Sequence, residues 1–213
     1  MKFAISSHKD YFNFTEEKII KSLSDAGIGF DDIYFFIGGY DINEPYKKLD
    51  GDYHRYSCPH NSIDFTGLVS VVDLNIESDH WFLLHDTCYV GPEFYNSIKS
   101  YDYMDKNYVS LTNDLSMNMG SYKWEFIQQN RDGILSYKNV GDDIQGFKIR
   151  LIHEEDIFFR PRVYCYNNKP RQSTGPTDYY NNQTERIVEY FPDIDLYKIK
   201  ANWGLKSIYT NKP

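Results

Sequence analysis

The stretch HWFLLHDTCYVGPEF, from His80 to Phe94, joins a continuous apolar run to a polar segment that ends in Gly-Pro and an aromatic residue. An apolar run of this length indicates a strand that is buried on both faces, as in a parallel sheet. Polar site residues emerge at the carboxyl ends of such strands. The sequence therefore predicts that Asp86 lies at the functional edge of a sheet.

Three more strands and two helices are predicted before this stretch. The strands are KFAISS (2–7), DDIYFFIGGYD (31–41) and YHRYSCP (53–59), and the helices are NFTEEKIIKSLSDAG (13–27) and SIDFTGLVSVVDLNI (62–76). In the first helix Thr15 is the predicted cap, Glu16 and Glu17 suit the first turn, and Gly27 closes the last turn. Strands that alternate with helices predict βαβ units and a mostly parallel sheet in an α/β, Rossmann-like fold.

The second half of the chain, from about residue 100, is less regular. YVSLTNDLSMNMGSYKWEFIQQN (108–130) predicts a strand, a glycine-containing loop and a short helix, and GFKIRLIHEEDIFFRPRVYCY (146–166) predicts one or two late strands. NNKPRQSTGPTDYYNNQT (167–184) is rich in Asn, Pro and Gly and predicts a mobile loop that could act as a lid. Residues 1–213 are predicted to form one domain.

Composition narrows the class of protein. The chain has 213 residues, of which 41% are hydrophobic, enough to fill the core of one α/β domain. Asp and Glu outnumber Lys and Arg by 31 to 23, and the net charge of -8 argues against nucleic acid or anionic lipid as a partner. Cys58, Cys88 and Cys165 lack the paired spacing of a zinc site or a disulfide scaffold. With no visible secretory leader or membrane span, we expect a cytoplasmic protein.

The strand ends resemble the nucleotide-sugar half of GT-A type glycosyltransferases. The segments that carry the resemblance are FAISSHKDY, IYFFIGGYDIN, PHNSIDFTGL and WFLLHDTCYVGPEF, within about the first hundred residues. In that family the last of these strands ends in an Asp-x-Asp motif that binds a divalent metal and the donor diphosphate. Aligned without a gap, His85 and Thr87 fall on the two acidic positions; shifted by one residue, Asp86 takes the second position and Leu84 the first. In both alignments one carboxylate remains.

The resemblance implies a UDP-sugar as donor, Mn²⁺ or Mg²⁺ as cofactor, and a glycan or glycoprotein as acceptor. Within the family, the chain is similar to glycosyltransferase domains of chlorella viruses that are associated with decorating a capsid protein. That similarity implies a virus-encoded enzyme of the host-cell cytoplasm and further domains in a longer polypeptide. About residues 1–100 are expected to hold the donor, and about residues 101–213 the acceptor.

Asp86 is the predicted metal ligand and a predicted catalytic residue. A hard divalent cation stabilises the negative charge on a departing diphosphate and takes oxygen ligands, and Mn²⁺ also accepts an imidazole. By the resemblance, His153 completes the metal site from a late strand. The alternatives are a strand-end turn for Asp86 and an ordinary strand histidine for His153.

The donor-binding residues are expected at the carboxyl ends of the first four strands. They are Ser6, Ser7, His8, Gly38, Gly39, Asp64, His85 and Thr87. The hydroxyls after the first strand can reach a base or ribose, and the paired glycines let a ligand approach the backbone closely. Asp64 matches the donor-contacting loop of the family. A plain turn for the glycines and a helix cap for Asp64 are the alternatives.

Whether the transfer needs a catalytic base depends on its stereochemical outcome. Inversion requires a carboxylate that takes the proton of the acceptor hydroxyl, whereas retention does not strictly require one. The resemblance favours Glu125 as this catalytic residue, because the family often places an acid after a glycine-containing acceptor loop. Trp124 beside it offers an apolar face for a sugar ring. Glu154, Glu155 and Asp156 compete for the role, and a solvated surface charge is the alternative for Glu125.

Two other classes of function stay open. A catalytically inactive nucleotide-sugar or glycan-binding module fits the degenerate acidic motif, and metal-dependent donor hydrolysis would separate it from an active enzyme. A metallophosphoesterase is suggested by SHKD (7–10), GDYH (51–54) and LHD (84–86), but the sequence lacks the paired Asp-x-His and Gly-Asn-His signatures of that class.

Overall fold

The structure, a computed structural model, describes residues 1–112, 119–138, 164–169, 172–177 and 186–201. Over these ranges the chain is a mixed α/β protein with a large, mostly parallel sheet flanked by helices. The strands are β1 (Lys2–His8), β2 (Ile33–Gly38), β3 (Lys47–Leu49), β4 (His54–Ser57), β5 (His80–His85), β6 (Cys88–Val90), β7 (Tyr108–Thr112), β8 (Gly120–Lys123), β9 (Cys165–Asn167), β10 (Gln172–Thr177), β11 (Arg186–Phe191) and β12 (Leu196–Ala201). The α-helices are α1 (Phe12–Asp25), α2 (Thr66–Asp73), α3 (Phe94–Ser100), α4 (Trp124–Gln129) and α5 (Arg131–Leu135).

The large sheet has the strand order β3-β4-β2-β1-β5-β8-β7-β9 in the described ranges. Its four neighbours β4, β2, β1 and β5 run parallel, which confirms the predicted βαβ units. The chain passes from β1 through α1 to β2, and later from β4 through α2 back to β5 on the other side of β1. The order of the strands therefore reverses between β1 and β5. In open α/β sheets this is where ligands bind, beyond the carboxyl ends of the strands.

Both faces of β1, β2 and β5 are covered, which explains their apolar-rich sequences. Side chains alternate between the faces of a strand, so Phe3 and Ile5 of β1 pack with α1, whereas Ala4 packs with α2. In β5, Phe82 and Leu84 belong to the α1 side and Trp81 and Leu83 to the α2 side. Full burial of each large side chain contributes roughly 1.5–3 kcal/mol.

Helix α1 begins at Phe12, so the prediction that Thr15 caps it is wrong. The chain turns directly after β1 and enters the helix four residues earlier, with Tyr11 in the cap position. Thr15 lies inside the helix with its side chain almost fully buried, and Glu16 and Glu17 lie beyond the first turn. At the other end, Gly27 has a φ of +88°, the left-handed conformation expected after a helix, and confirms the predicted end.

A second, antiparallel sheet has the order β10-β11-β12-β6. Strand β10, Gln172–Thr177, lies within the segment 167–184 that the sequence predicts as a mobile loop, so that part of the prediction is wrong. The hairpin of β11 and β12 offers β10 a partner, and the pairing tolerates Pro176 because β10 is an edge strand with a register shift between Ser173 and Pro176.

In the second half of the chain, the structure confirms part of what the sequence predicts. Strand β7 and helix α4 confirm the strand and the helix predicted over 108–130. Gly120, expected in a loop, is the first residue of β8, where its φ of +141° and its contact with Val109 leave no room for a Cβ. Of the segment 146–166, in which the sequence predicts one or two late strands, the structure describes only Tyr164, Cys165 and Tyr166, the last two in β9. No helix in the described ranges is long and apolar enough to cross a membrane.

Candidate functional site

Asp86 stands directly after β5 and is fixed by the two elements beside it. Its carboxylate Oδ2 accepts hydrogen bonds from Ser7 Oγ at 2.6 Å and from Thr15 Oγ1 at 2.9 Å. Its backbone N–H donates to the carbonyl oxygen of Ser6 at 3.0 Å, which extends the pairing of β5 with β1. The carboxylate is therefore held in one orientation at the point where the strand order reverses.

The surroundings of Asp86 oppose its ionisation. Burial raises the pKa of the carboxyl, and the nearby Asp64 raises it further, while the hydroxyls of Ser7 and Thr15 and the charge of Lys198 act in the other direction. A carboxylate kept in such a place is more common at binding and catalytic sites than elsewhere. A ligand that brings hydroxyl donors or positive charge would stabilise its ionised form.

His85 lies on the other face of the strand, next to a cation from the second sheet. Lys198 of β12 places its Nζ 2.6 Å from His85 Nδ1. A protonated lysine can only donate, so Nδ1 of His85 is the acceptor in this contact. The carboxylate of Asp64 is 4.0 Å from the same ring nitrogen. We call Ser7, Thr15, Asp64, His85, Asp86 and Lys198 the strand-end cluster.

Asp64 is held by a strained turn and by Ser6. The preceding residue, Ile63, has a φ of +49°, which is rare for a β-branched side chain and costs roughly 1–3 kcal/mol. Ser6 Oγ donates to the Asp64 carbonyl at 2.7 Å and accepts from Gly67 N–H at 2.9 Å. Ser6 is buried, so the structure places it beneath the site, where it positions the Asp64 loop against β1.

The paired glycines allow close packing at the end of β2. Gly39 has a φ of +87°, and a Cβ at this position would overlap the ring of His8. A Cβ on Gly38 would lie 3.0 Å from Thr66 Oγ1. The Gly39 N–H donates to the carbonyl oxygen of His60 at 2.8 Å. Glycine at both positions therefore brings β1, β2 and the start of α2 together beside the cluster.

The structure gathers all the predicted donor-binding residues at one edge of the sheet. At the carboxyl ends of β1, β2 and β5 and at the start of α2 lie Ser6, Ser7, His8, Gly38, Gly39, Asp64, His85, Asp86 and Thr87. Thr87 takes part through its backbone, because its carbonyl oxygen accepts from Ile199 N–H at 2.9 Å. That bond aligns β12 with the end of β5, and it therefore places the side chain of Lys198 next to His85.

Glu125 lies at the opposite edge. Strand β8 is antiparallel to β5, with Lys123 opposite His80, so α4 begins at the amino end of β5. Glu125 is 72% exposed and pairs with Lys123 at 3.0 Å. The six residues of β5, about 20 Å at the usual rise, separate this end from Asp86. A base must be within hydrogen-bond reach of its proton, so the structure does not support Glu125 as the base at the strand-end cluster.

The described residues do not by themselves fit a divalent metal. In the ranges that the structure covers, no group of three or more His, Cys, Asp and Glu side chains could hold one. Asp86 Oδ2 already accepts two hydroxyls, and the Lys198 ammonium occupies the position on His85 Nδ1 that a metal would take. His153 lies outside the described residues, as do Glu154, Glu155 and Asp156. Mn²⁺ or Mg²⁺ therefore stays a prediction.

A cavity of about 400 Å³ lies at the amino edge, away from the cluster. Its lining residues are Glu77, Ser78, Asp79, His80, Met104, Lys123, Trp124 and Glu125. The rim carries the exposed pair of Lys123 and Glu125, a contact of the kind that surface residues make without a ligand. We favour the carboxyl edge as the functional site, because side chains from two helical segments and both sheets converge there at the reversal of strand order.

Comparison of the chain with protein-family models, with curated proteins and with solved structures found no match.

Proposed function

We propose that the protein is a glycosyltransferase of GT-A type that binds a UDP-sugar at the carboxyl edge of the large sheet. It would transfer the hexose to a glycan or glycoprotein, in keeping with the resemblance to enzymes associated with capsid glycosylation. One observation carries the proposal: at the reversal between β1 and β5, Asp86 is held by hydroxyls on one face while a lysine and a histidine meet on the other.

The cluster matches the chemistry of a nucleoside diphosphate sugar. Ribose and sugar hydroxyls are donors that the carboxylates of Asp64 and Asp86 can accept, and the phosphates are anions that the Lys198 ammonium can meet. The left-handed turn at Gly39 lets the ring of His8 pack against the backbone at the end of β2, beside the cluster. The resemblance contributes the choice of uridine as the base.

In the transfer, the acceptor hydroxyl oxygen bonds to the anomeric carbon of the donor sugar. The bond between that carbon and the β-phosphate oxygen breaks, and its electron pair stays on the departing UDP. The hydroxyl proton passes to a carboxylate base or to the departing phosphate. UDP gains negative charge in this step, so groups that stabilise that charge accelerate it.

Two parts of this mechanism depend on residues outside the described ranges. If a metal takes part, Asp86 and His153 are its predicted ligands, and its charge would stabilise the departing diphosphate. For an inverting reaction, Glu154, Glu155 and Asp156 are the remaining candidates for the base, because Glu125 lies at the other edge of the sheet.

Release of UDP from UDP-hexoses tests the proposal. We expect the purified protein to hydrolyse one of these donors slowly in the absence of an acceptor, with Asp86→Asn inactive and Glu125→Gln as active as the unchanged protein. Equal release by the unchanged protein and by Asp86→Asn would contradict the proposal. Binding of UDP without any release would instead favour the inactive nucleotide-sugar-binding module.

A further inference from the structure

We infer that Lys198 is the diphosphate-binding residue of the strand-end cluster and stabilises the charge that UDP gains as it departs. The inference rests on the proposed function and adds to it a residue from the second sheet. It assigns to an ammonium group the neutralising role that a second acid of the Asp-x-Asp motif would perform through a metal.

The position of Lys198 is set by backbone pairing. Strand β12 pairs with β6, and Lys198 lies opposite Cys88, two residues beyond Asp86. The Ile199 N–H donates to the Thr87 carbonyl oxygen at 2.9 Å and holds β12 against the turn that follows β5. The partly buried Lys198 side chain can therefore reach the carboxyl edge, where its Nζ meets His85.

The hydrogen-bond partner of Lys198 is a histidine ring, whereas several other lysines pair with carboxylates. Lys21, Lys123 and Lys138 each lie within 3.0 Å of a carboxylate oxygen. In the described ranges Lys198 forms no such ion pair, and its direct hydrogen bond goes to a ring nitrogen of His85. An ammonium has three N–H donors, and the contact with His85 uses one of them. An anion is the ligand that this arrangement favours.

The charged groups of the cluster suit two different parts of the ligand. A diphosphate would be repelled by the carboxylates of Asp64 and Asp86, which are better suited to hydroxyl groups. Lys198 supplies the cation that the phosphates need, and charge-assisted N–H···O contacts are about twice as strong as neutral ones. In a chain with a net charge of -8, a local cation is also required to draw a nucleotide to this edge.

Calorimetric titration with UDP and with uridine, both in EDTA, tests the inference. We expect the unchanged protein to bind UDP more tightly than uridine without a divalent metal. Lys198→Gln should lose about tenfold in affinity for UDP, the cost of one charge-assisted contact, with affinity for uridine unchanged. Lys198→Arg, which keeps the charge, should retain most of the preference for UDP. Lys123→Gln, at the opposite edge, is the matched control.

The outcomes separate this inference from the proposed function. The inference fails if Lys198→Gln prefers UDP over uridine as strongly as the unchanged protein does, or if UDP binds only after Mn²⁺ is added. Failure to bind UDP under both conditions would instead contradict the proposed function. If Lys198→Gln does not fold, the inference is tested by the salt dependence of UDP binding to the unchanged protein and to Lys198→Arg. Their UDP affinity, unlike their uridine affinity, must then fall as salt is raised.

Discussion

Lys198 Nζ and His85 Nδ1 lie 2.6 Å apart although 113 positions separate the two residues in the chain. The contact joins the antiparallel second sheet to the carboxyl end of β5. The candidate site is therefore built from two parts of the fold. The parallel strands and the segments that follow them provide the carboxylates and hydroxyls, and the hairpin of β11 and β12 provides the cation. Loss of the hairpin should therefore change the ligand preference of the site more than the fold of the parallel strands.

Asp86→Asn is expected to keep or raise the free energy of unfolding at pH 7 while it removes nucleotide binding. Because burial raises the pKa of Asp86 above its ordinary value of 3.8, the folded state binds this proton more tightly than the unfolded state. The carboxylate therefore lowers stability as the pH rises from 3.8 through the folded-state pKa, and the cost persists above it. Asparagine carries no charge, and its Oδ1 can still accept from Ser7 and Thr15.

Urea unfolding of both proteins at about pH 5 and about pH 8 measures this difference. The stability of Asp86→Asn relative to the unchanged protein should increase with pH. A variant that is clearly less stable than the unchanged protein at the higher pH would show that Asp86 serves the fold and not a ligand.

Gly39→Ala is expected to destabilise the protein by roughly 1–3 kcal/mol, because the left-handed backbone penalises any Cβ and this Cβ would overlap His8. Displacement of His8 should also weaken nucleotide binding. Gly29→Ala is a matched control, since its φ of -68° is ordinary and a Cβ there meets nothing within 4 Å. Chemical denaturation compares the two variants. Equal stabilities would show that the turn after β2 is not constrained.

Glu125→Gln is expected to change kcat/KM for UDP release by less than about twofold. Its carboxylate is exposed at the opposite end of β5, and its pair with Lys123 is a surface contact worth about 0–1 kcal/mol. Steady-state kinetics on the donor identified by screening check this expectation. A fall in kcat of about a hundredfold, the scale of a lost general base, would show that the active site is at the amino edge.

The stability of the fold should fall between about pH 6.5 and pH 4 because of His60. Its ring is buried between Ser62 Oγ, 2.9 Å from Nδ1, and Ser70 Oγ, 3.1 Å from Nε2. Burial, aided by Lys138, lowers the pKa of His60 to about 4, so the unfolded state takes up the proton first as the pH falls. The loss amounts to at most about 3 kcal/mol.

Unfolding of the unchanged protein and of His60→Gln across this pH range isolates the contribution of His60, because the other titrating groups are common to both. The difference in the free energy of unfolding should shrink towards acid pH. A difference that is independent of pH would contradict a neutral, buried His60.

Strands β1, β2 and β5 could be predicted from the sequence because each is buried on both faces and is rich in apolar residues. Their carboxyl ends then located Ser7, His8, Gly39 and Asp86 together. The prediction that Thr15 is a cap is wrong because Thr15 shares its helix face with Ile19 and Leu23, a spacing that places its hydroxyl towards the core.

Residues that reach the site through pairing between strands distant in the chain could not be predicted from the sequence. Nothing in the sequence around Lys198 signals that β12 pairs with β6 and ends beside β5. The position of Glu125 follows from Gly120, which was expected in a loop but whose positive φ is accommodated inside β8. An antiparallel strand at that position carries the chain back to the amino edge, which reverses the expected location of Glu125.

Nucleotide binding at the carboxyl edge is tested most directly by backbone amide NMR spectra recorded during a titration with UDP. The proposed site predicts that the amide signals of Ser7, His8, Gly39, Asp86 and Thr87 shift progressively, while those of Lys123, Trp124 and Glu125 stay unchanged. Shifts centred on the cavity at the amino edge, or no shift at saturating UDP, would contradict it.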